Sequence, residues 1–204
     1  MVAQFVWQVE ETAGFESSWV TLDDLVLHAE GRAVGQLPEP YWLSYTLDTD
    51  DQAATTCLTI TAATPTTQHH LDLRRVGDDW TVNGEPRPDL AGALDCDIAC
   101  SPLTNTMPII RTALHRKPGS IEFLMAFVEV PTLRVIPDRQ TYTHLDTNGD
   151  GGRVRYASGS FTSDLTIDSA GFVVVYPTMA RRLPPEHAAT QDIRQQGPGS
   201  ARPD

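Results

Sequence analysis

The chain has 204 residues, 40% of them hydrophobic, and its 27 acidic against 15 basic residues give a formal net charge of -12. This length fits one domain, or a domain with a tail, and the hydrophobic fraction suffices for a core. The acidic charge disfavours nucleic acid and anionic membranes as partners, because both would repel it. We see no signal-peptide pattern, and the longest apolar run, Phe123 to Val128, is far shorter than a membrane span. We therefore expect a cytoplasmic protein with no membrane insertion.

Short segments with alternating apolar residues dominate the chain. In "YWLSYTLD" the residues Leu43, Tyr45 and Leu47 share one face, and in "CLTITA" Leu58 and Ile60 do the same. Period-two runs separated by Gly, Pro and Asp are typical of an all-β domain.

Turn motifs between these segments predict hairpins. The strongest are "VGDDW" at 76–80 and "DSAGF" at 168–172. The longest strand-like stretch, 120–145, is apolar on both faces and predicts an interior strand. We expect Pro131 and Pro137 to break it into two or three strands.

One segment is predicted to be helical, about 106–117. Thr106 is the expected N-cap, and Pro108 falls in the first turn, where its missing N–H costs little. Apolar residues then recur with helical spacing until Pro118-Gly119 ends the segment. After it the strand pattern continues to residue 183, so we expect one domain over 1–183. The polar segment 184–204, rich in Pro, Gly and Gln, predicts a disordered tail.

Two cysteines, Cys96 and Cys100, lie just before the predicted helix. Zinc would need two further ligands, and neither a second cysteine pair nor a paired histidine motif follows at the usual spacing. The CxxxC spacing also differs from that of redox motifs. Metal or redox chemistry and simple burial as small apolar residues both remain interpretations, and we predict no metal and no cofactor.

The segment "DTNGDGG" (146–152) resembles the first half of a calcium-binding loop, with Asp146, Asn148 and Asp150 as ligands. Its twelfth position is Ala157 instead of a bidentate Glu. A hairpin tip is the alternative, because Asn-Gly and Asp-Gly favour tight turns.

Asp95 and Asp97 fall on one face of a predicted strand. A carboxylate pair can perform acid–base chemistry, and Arg111 and Tyr142 could assist it if all four met in an open cleft. The alternative is hydrogen bonding to the backbone near the helix start. No nucleophile elbow, phosphate loop or dinucleotide fingerprint is present, and we predict no catalytic residues.

Aromatic residues lie on many strand-like segments and have two interpretations. They form the core, or they line a curved face that holds an apolar or sugar-bearing ligand. They are Trp7, Trp19, Tyr41, Trp42, Tyr45, Trp80, Tyr142, Tyr156 and Tyr176.

The segments "LDCDIACSPLTNTMPIIR", "VPTLRVIPDRQTYTHL" and "VRYASGSFTSDLTIDSAGFVVVYP" together resemble a bacterial family of putative glycolipid-binding proteins, formerly a domain of unknown function. The resemblance covers about residues 7–183, and Thr-Asn-Thr-x-Pro-Ile is its most specific part. Ile110 departs from the family pattern, which has Arg there. The matching positions are Asp95, Asp97, Pro102, Thr104, Asn105, Thr106, Pro108, Ile109, Arg111, Gln140, Tyr142, Thr143, Tyr176 and Pro177.

The resemblance implies a spiral β-roll, in which a long antiparallel sheet wraps around a single α-helix, and a homodimer. It also implies that Thr104, Asn105, Thr106 and Pro108 form the entry to the helix, and that Thr104, Asn105 and Thr106 satisfy its first N–H groups. It implies a lipid or glycolipid ligand and no enzymatic activity. The expected ligand-binding residues are Asp97, Asn105, Arg111, Gln140, Tyr142 and Tyr176. A dimeric interaction protein, or less favourably an enzyme using Asp95, Asp97 and Arg111, is the alternative.

Overall fold

The computed structural model describes residues 2–184, and the remainder of the predicted tail lies outside the described residues. The strands are β1 (Val2–Val9), β2 (Gly14–Asp23), β3 (Val26–Gly35), β4 (Tyr41–Thr49), β5 (Thr55–Ala63), β6 (Gln68–Val76), β7 (Asp79–Val82), β8 (Glu85–Pro86), β9 (Asp95–Ile98), β10 (Ser120–Val128), β11 (Val135–Asn148), β12 (Gly151–Ser158), β13 (Phe161–Asp168), β14 (Val173–Tyr176) and β15 (Ala180–Arg182). The helix α1 spans Thr106–Thr112, and 3-10 turns span Pro88–Leu90 and Pro102–Asn105.

All fifteen strands belong to one sheet, in the order β8-β7-β6-β5-β4-β3-β2-β1-β15-β14-β13-β12-β11-β10-β9. Strands β1 to β8 form one meander and strands β10 to β15 form another, and the two are joined where β1 pairs with β15. Every pair is antiparallel except β9 with β10. The hairpins predicted at 76–80 and 168–172 are confirmed by the pairing of the strands on either side of each turn.

The sheet curls until its β9 edge approaches the start of β5. The Thr55 N–H donates to the Leu94 carbonyl at 2.9 Å, and the Cys96 N–H donates to Thr55 Oγ1 at 3.1 Å. The indole of Trp80 on β7 adds a 3.0 Å bond to the Ala93 carbonyl. The predicted fold class, a mainly β roll around one helix, is confirmed for the described residues.

The inside of the roll is filled by the protein's own side chains. Met107 and Ile109 of α1 are fully buried, and they join a core to which nearly every long strand contributes. Burying one such side chain contributes about 2 kcal/mol. The central volume is therefore occupied by apolar side chains.

The helix differs from the prediction at both ends. It ends at Thr112 because Ala113 adopts a left-handed conformation, with φ of 55°, and residues beyond it form turns. At its start the 3-10 turn runs directly into α1, and the Thr106 N–H already donates to the Leu103 carbonyl. Asn105 occupies the N-cap position without a side-chain cap bond. The expectation that the side chains of Thr104, Asn105 and Thr106 satisfy the first N–H groups of the helix is therefore wrong.

Pro137 does not break a strand as predicted, since it lies within β11 opposite Ala126 of β10. The pairing of β11 with β12 begins only at Gln140, so Pro137 sits where β11 has no partner on that side. The break occurs at 129–134, the turn that contains Pro131.

Candidate functional site

The residues singled out around Asp97 form a buried hydrogen-bond network between β9, β11 and the helix entry. Thr104 donates to Asp97 Oδ1 at 2.7 Å, and Gln140 Nε2 donates to Asp97 Oδ2 at 2.7 Å. The Tyr142 hydroxyl donates to Gln140 Oε1 at 3.1 Å. Burial raises the pKa of Asp97, and the bonds from Thr104 and Gln140 oppose that rise. Both carboxylate oxygens of Asp97 are thus held by other side chains.

Asp95 is held by Arg111 in a separate, bidentate ion pair. The guanidinium donates to Oδ1 at 2.8 Å and to Oδ2 at 2.5 Å, and also to the Ala53 carbonyl at 3.1 Å. Its other side faces the ring of Phe123 at 5.5 Å from the centroid. This pair connects β9, α1 and the turn before β5.

The structure places the expected ligand-binding residues in the interior. Asp97, Asn105, Gln140, Tyr142 and Tyr176 are buried, and only Arg111 is partly exposed. Of the four groups of the enzyme hypothesis, Asp95, Asp97 and Tyr142 are therefore buried and Arg111 is partly exposed, and the four belong to two separate networks.

Seven of the nine aromatic residues on the strands belong to the core, and two do not. Trp19 on β2 is 56% exposed and Trp42 on β4 is 54% exposed. The buried ones are Trp7, Tyr41, Tyr45, Trp80, Tyr142, Tyr156 and Tyr176. The core interpretation thus applies to seven of the nine aromatic residues, whereas Trp19 and Trp42 lie on the outer surface.

A cleft with a volume of about 330 Å³ lies on the outside of the roll, across β2 to β6. We call it the outer cleft. It is lined by Ser17, Trp19, Glu30, Gly31, Arg32, Ser44, Tyr45, Thr46, Thr59, Ile60, Thr61 and His70. Half of these residues carry a hydroxyl group, and the others include Arg32 and Glu30, so the cleft offers both donors and acceptors.

The strand register explains how these side chains meet. Ser17, Arg32, Ser44, Thr61 and His70 are directly opposite one another on five successive strands. At strand spacing of about 4.8 Å, this polar row extends about 19 Å across the sheet. Within residues 2–184, Arg32 has no ion-pair partner, so its donors face solvent in the cleft.

A second, parallel row of side chains is apolar. Phe15, Val34 and Trp42 are directly opposite one another on β2, β3 and β4, and each is about half exposed. This apolar row lies two residues along each strand from the polar row, a distance of about 7 Å. The outer face therefore has a polar cleft bordered by an apolar edge.

Strand β2 has its polarity reversed relative to an ordinary half-buried strand. Its polar residues Glu16 and Ser18 face the core, whereas Phe15 and Trp19 face solvent. A shift of one residue would exchange the two faces. The register nevertheless holds the aromatic side chains outside, beside the outer cleft.

Burial strongly perturbs the acid on the inner face of β2. Glu16 Oε1 accepts bonds from the Tyr45 hydroxyl at 2.5 Å and from Ser101 Oγ at 2.6 Å, and its Oε2 has no partner. Burial raises the pKa of Glu16 to about 7, and the two hydroxyl bonds only partly oppose this.

Sequence reasoning missed the polar residues of the outer cleft, whereas Trp19 and Tyr45 were among the aromatic residues considered and Ile60 was assigned to a strand face. Serines and threonines at alternate positions of strands look like ordinary solvent-facing residues. The usable signal was the pair Phe15 and Trp19 alternating with Glu16 and Ser18, which does not fit a buried aromatic face.

Similarity to known proteins identifies the family of this chain. The model of the family described as putative glycolipid-binding matches residues 4–182. The chain belongs to the putative glycolipid-binding family. A crystal structure of a DUF1089 family protein from Pseudomonas aeruginosa is similar, with 31% identity and a TM-score of 0.70, over 82% of this chain and 92% of that one. No curated protein matches the chain.

Two structural findings bear on how a member of the putative glycolipid-binding family could hold a ligand. No helix within residues 2–184 is long and apolar enough to cross a membrane. Over the same residues, no cluster of three or more His, Cys, Asp and Glu could hold a metal ion.

The segment 146–152, which resembles half of a calcium-binding loop in sequence, is part of a hairpin. Asn148 pairs with Gly151 across the turn, and Asp146 forms an ion pair with Arg153 at 2.5 Å.

Proposed function

We propose that the protein binds glycolipids without chemical turnover, and that it does so on the outside of the roll. The observation that carries this proposal is the outer cleft with the apolar row beside it. A glycolipid has a hydroxyl-rich head joined to a hydrocarbon, and these two surfaces match those two parts in polarity and in adjacency. Family membership supports the same ligand class.

The head group fits the chemistry of the outer cleft. Sugar hydroxyls both donate and accept hydrogen bonds, as do Ser44, Thr59 and Thr61 on the cleft floor. Arg32 and Glu30 add one group of each sign, which favours a neutral polyol over an anion. The exposed ring of Trp19 offers an apolar face on which a sugar ring can stack.

The hydrocarbon would lie along the apolar row formed by Phe15, Val34 and Trp42. The core already fills the inside of the roll, so an external surface is the better place for a chain. An exposed row of three large apolar side chains is costly to maintain in water, and its retention is typical of a binding surface.

Vesicle co-sedimentation tests this function. The probe is phosphatidylcholine vesicles with and without a monoglucosyl diacylglycerol. We expect binding only when the glycolipid is present, and a loss of about 10-fold in Arg32→Ala, because a charged donor contributes about 1.5 kcal/mol or more. Arg139→Ala is the matched control, since Arg139 is an exposed arginine on β11, outside the outer cleft. Equal binding to both vesicles, or no effect of Arg32→Ala, would refute the proposal.

A second candidate is an interaction protein that dimerises through the apolar row. The same exposure of Phe15, Val34 and Trp42 favours it. Light scattering at micromolar concentration tests it: a dimer that dissociates in Val34→Glu supports this role, and a monomer eliminates it. Val76→Glu, at an exposed valine in the β6–β7 turn region, is the control.

A further inference from the structure

A second cleft opens at one end of the roll, where several turns meet. It has a volume of about 270 Å³ and we call it the end cleft. Its walls come from the β1–β2 turn, the β3–β4 turn and the segments that follow β9 and β10. It is lined by Glu11, Thr12, Leu37, Pro38, Ala99, Cys100 and Val130. No residue is shared with the outer cleft.

Two buried hydroxyls without hydrogen-bond partners lie at the end cleft, one in its wall and one behind that wall. Thr12 Oγ1 lines the cleft, and the Tyr41 hydroxyl lies close to both Thr12 and Cys100. Tyr41 is only 4% exposed. Buried polar groups are nearly always hydrogen-bonded, so these two neighbouring hydroxyls have hydrogen-bonding capacity left for a ligand atom.

The position of the Tyr41 hydroxyl is fixed by the backbone beneath its ring. The ring packs over Gly35, where an added Cβ would come within 2.5 Å of it. The ring therefore extends across β3 toward the β1–β2 turn and Cys100, and it cannot swing away without losing this packing.

The charge and chemistry of the surroundings define the ligand class. Glu16 lies behind Tyr41, with Oε2 also unpartnered, and would repel an anion when ionised. Burial raises the pKa of the Cys100 thiol to about 12, so the thiol stays protonated and is no nucleophile. Leu37, Pro38 and Val130 present apolar walls on the open side.

We propose that the end cleft binds a small neutral amphiphile. Its hydroxyl or amide group hydrogen-bonds to Tyr41 and Thr12, and its hydrocarbon contacts Leu37, Pro38 and Val130. An apolar cavity of about 150 Å³ holds benzene, so 270 Å³ accommodates a chain of about six to eight carbons. This site does not depend on the proposed glycolipid role of the outer cleft.

Titration of the full chain with hexan-1-ol, followed by NMR, tests the site. We expect saturable 1:1 binding, with shifts at Thr12, Cys100 and Val130. Val130→Trp fills the end cleft and should abolish binding, whereas Val76→Trp, at an exposed turn-flanking position, should not change it.

Tyr41→Phe tests the polar contact and removes only a hydroxyl without a partner, so the fold should be retained. We expect about 3- to 10-fold weaker hexanol binding in this variant. We also expect hexanoate to bind more weakly than hexanol at pH 8, where Glu16 is ionised. Absent saturation, unchanged affinity in Tyr41→Phe or Val130→Trp, or hexanoate binding as tightly as hexanol would each overturn the proposal.

Discussion

The Tyr45 hydroxyl donates a 2.5 Å hydrogen bond to Glu16 Oε1, reaching over Gly31 on the strand between them. The contact is made on the inner face of the same three strands whose outer face carries the outer cleft. Ser101 binds the same oxygen from the segment that follows β9, so one carboxyl group ties β2 and β4 to the segment after the edge strand β9. Its protonation state is therefore coupled to the stability of the roll.

We predict that stability falls between pH 4.5 and about 7 because of Glu16. Its pKa in the folded protein is about 7, above its ordinary 4.5, so the folded state binds more protons than the unfolded state in this window. The contribution of Glu16 to stability is full below pH 4.5, is lost as pH rises to about 7, and does not change further above that pH. The loss is about 3 kcal/mol.

Urea unfolding at pH 4.5 and pH 8 measures this effect. Glu16→Gln keeps an acceptor oxygen for Tyr45 and Ser101 but cannot ionise, so its stability should change less between the two pH values. Other carboxyl groups contribute equally to both proteins and cancel in the comparison. Identical pH profiles for the two proteins would show that Glu16 does not titrate in this range.

Gly31→Ala should destabilise the protein by about 3 kcal/mol, because its Cβ would lie 2.1 Å from the Tyr45 ring. Gly149→Ala is the matched control, since an added Cβ there meets nothing within 4 Å. In a Tyr45→Leu background the penalty at Gly31 should be smaller, which a double-mutant cycle detects. Thermal unfolding of the four proteins provides the measurement. Equal penalties in both backgrounds would show that the ring contact is not the cause.

Gln140→Leu should destabilise the protein by about 3 kcal/mol, because it removes the partner of Oδ2 of the buried Asp97 carboxyl and the partner of the Tyr142 hydroxyl. Gln68→Leu changes an exposed glutamine on β6 and should be nearly neutral. Denaturant unfolding compares the two. If Gln140→Leu were neutral in stability yet lost ligand binding, the network around Asp97 would serve the ligand instead of the fold.

The fold class followed from the sequence because alternation and turn chemistry are local signals. Leu43, Tyr45 and Leu47 face the core as their spacing predicts. The helix is shorter than the sequence predicts, because the left-handed turn that ends it is made by Ala113 and not by the glycine that usually marks such an end. Pro137 was misjudged because whether a strand has a neighbour depends on the whole sheet.

The candidate site could be predicted less well than the fold. Asp95 and Arg111 stand out in the sequence as reactive groups, but in the structure they satisfy each other inside the roll. Trp7 and Trp19 occupy similar sequence patterns, yet one is in the core and the other is exposed. Only the register of β2 against its neighbours decides between those outcomes, and register is a property of the assembled sheet.

The indole N–H signals of the four tryptophans test the central claim most directly. Trp7 and Trp80 are buried and donate to the Val173 and Ala93 carbonyls, whereas Trp19 and Trp42 are exposed on the outer face. Single Trp→Phe variants assign the four signals in a ¹H–¹⁵N spectrum. Titration with octyl glucoside below its micelle concentration should shift Trp19 and Trp42 and leave Trp7 and Trp80 in place. Shifts confined to Trp7 and Trp80, or no shift at the highest octyl glucoside concentration below the micelle concentration, would contradict glycolipid binding on the outside of the roll.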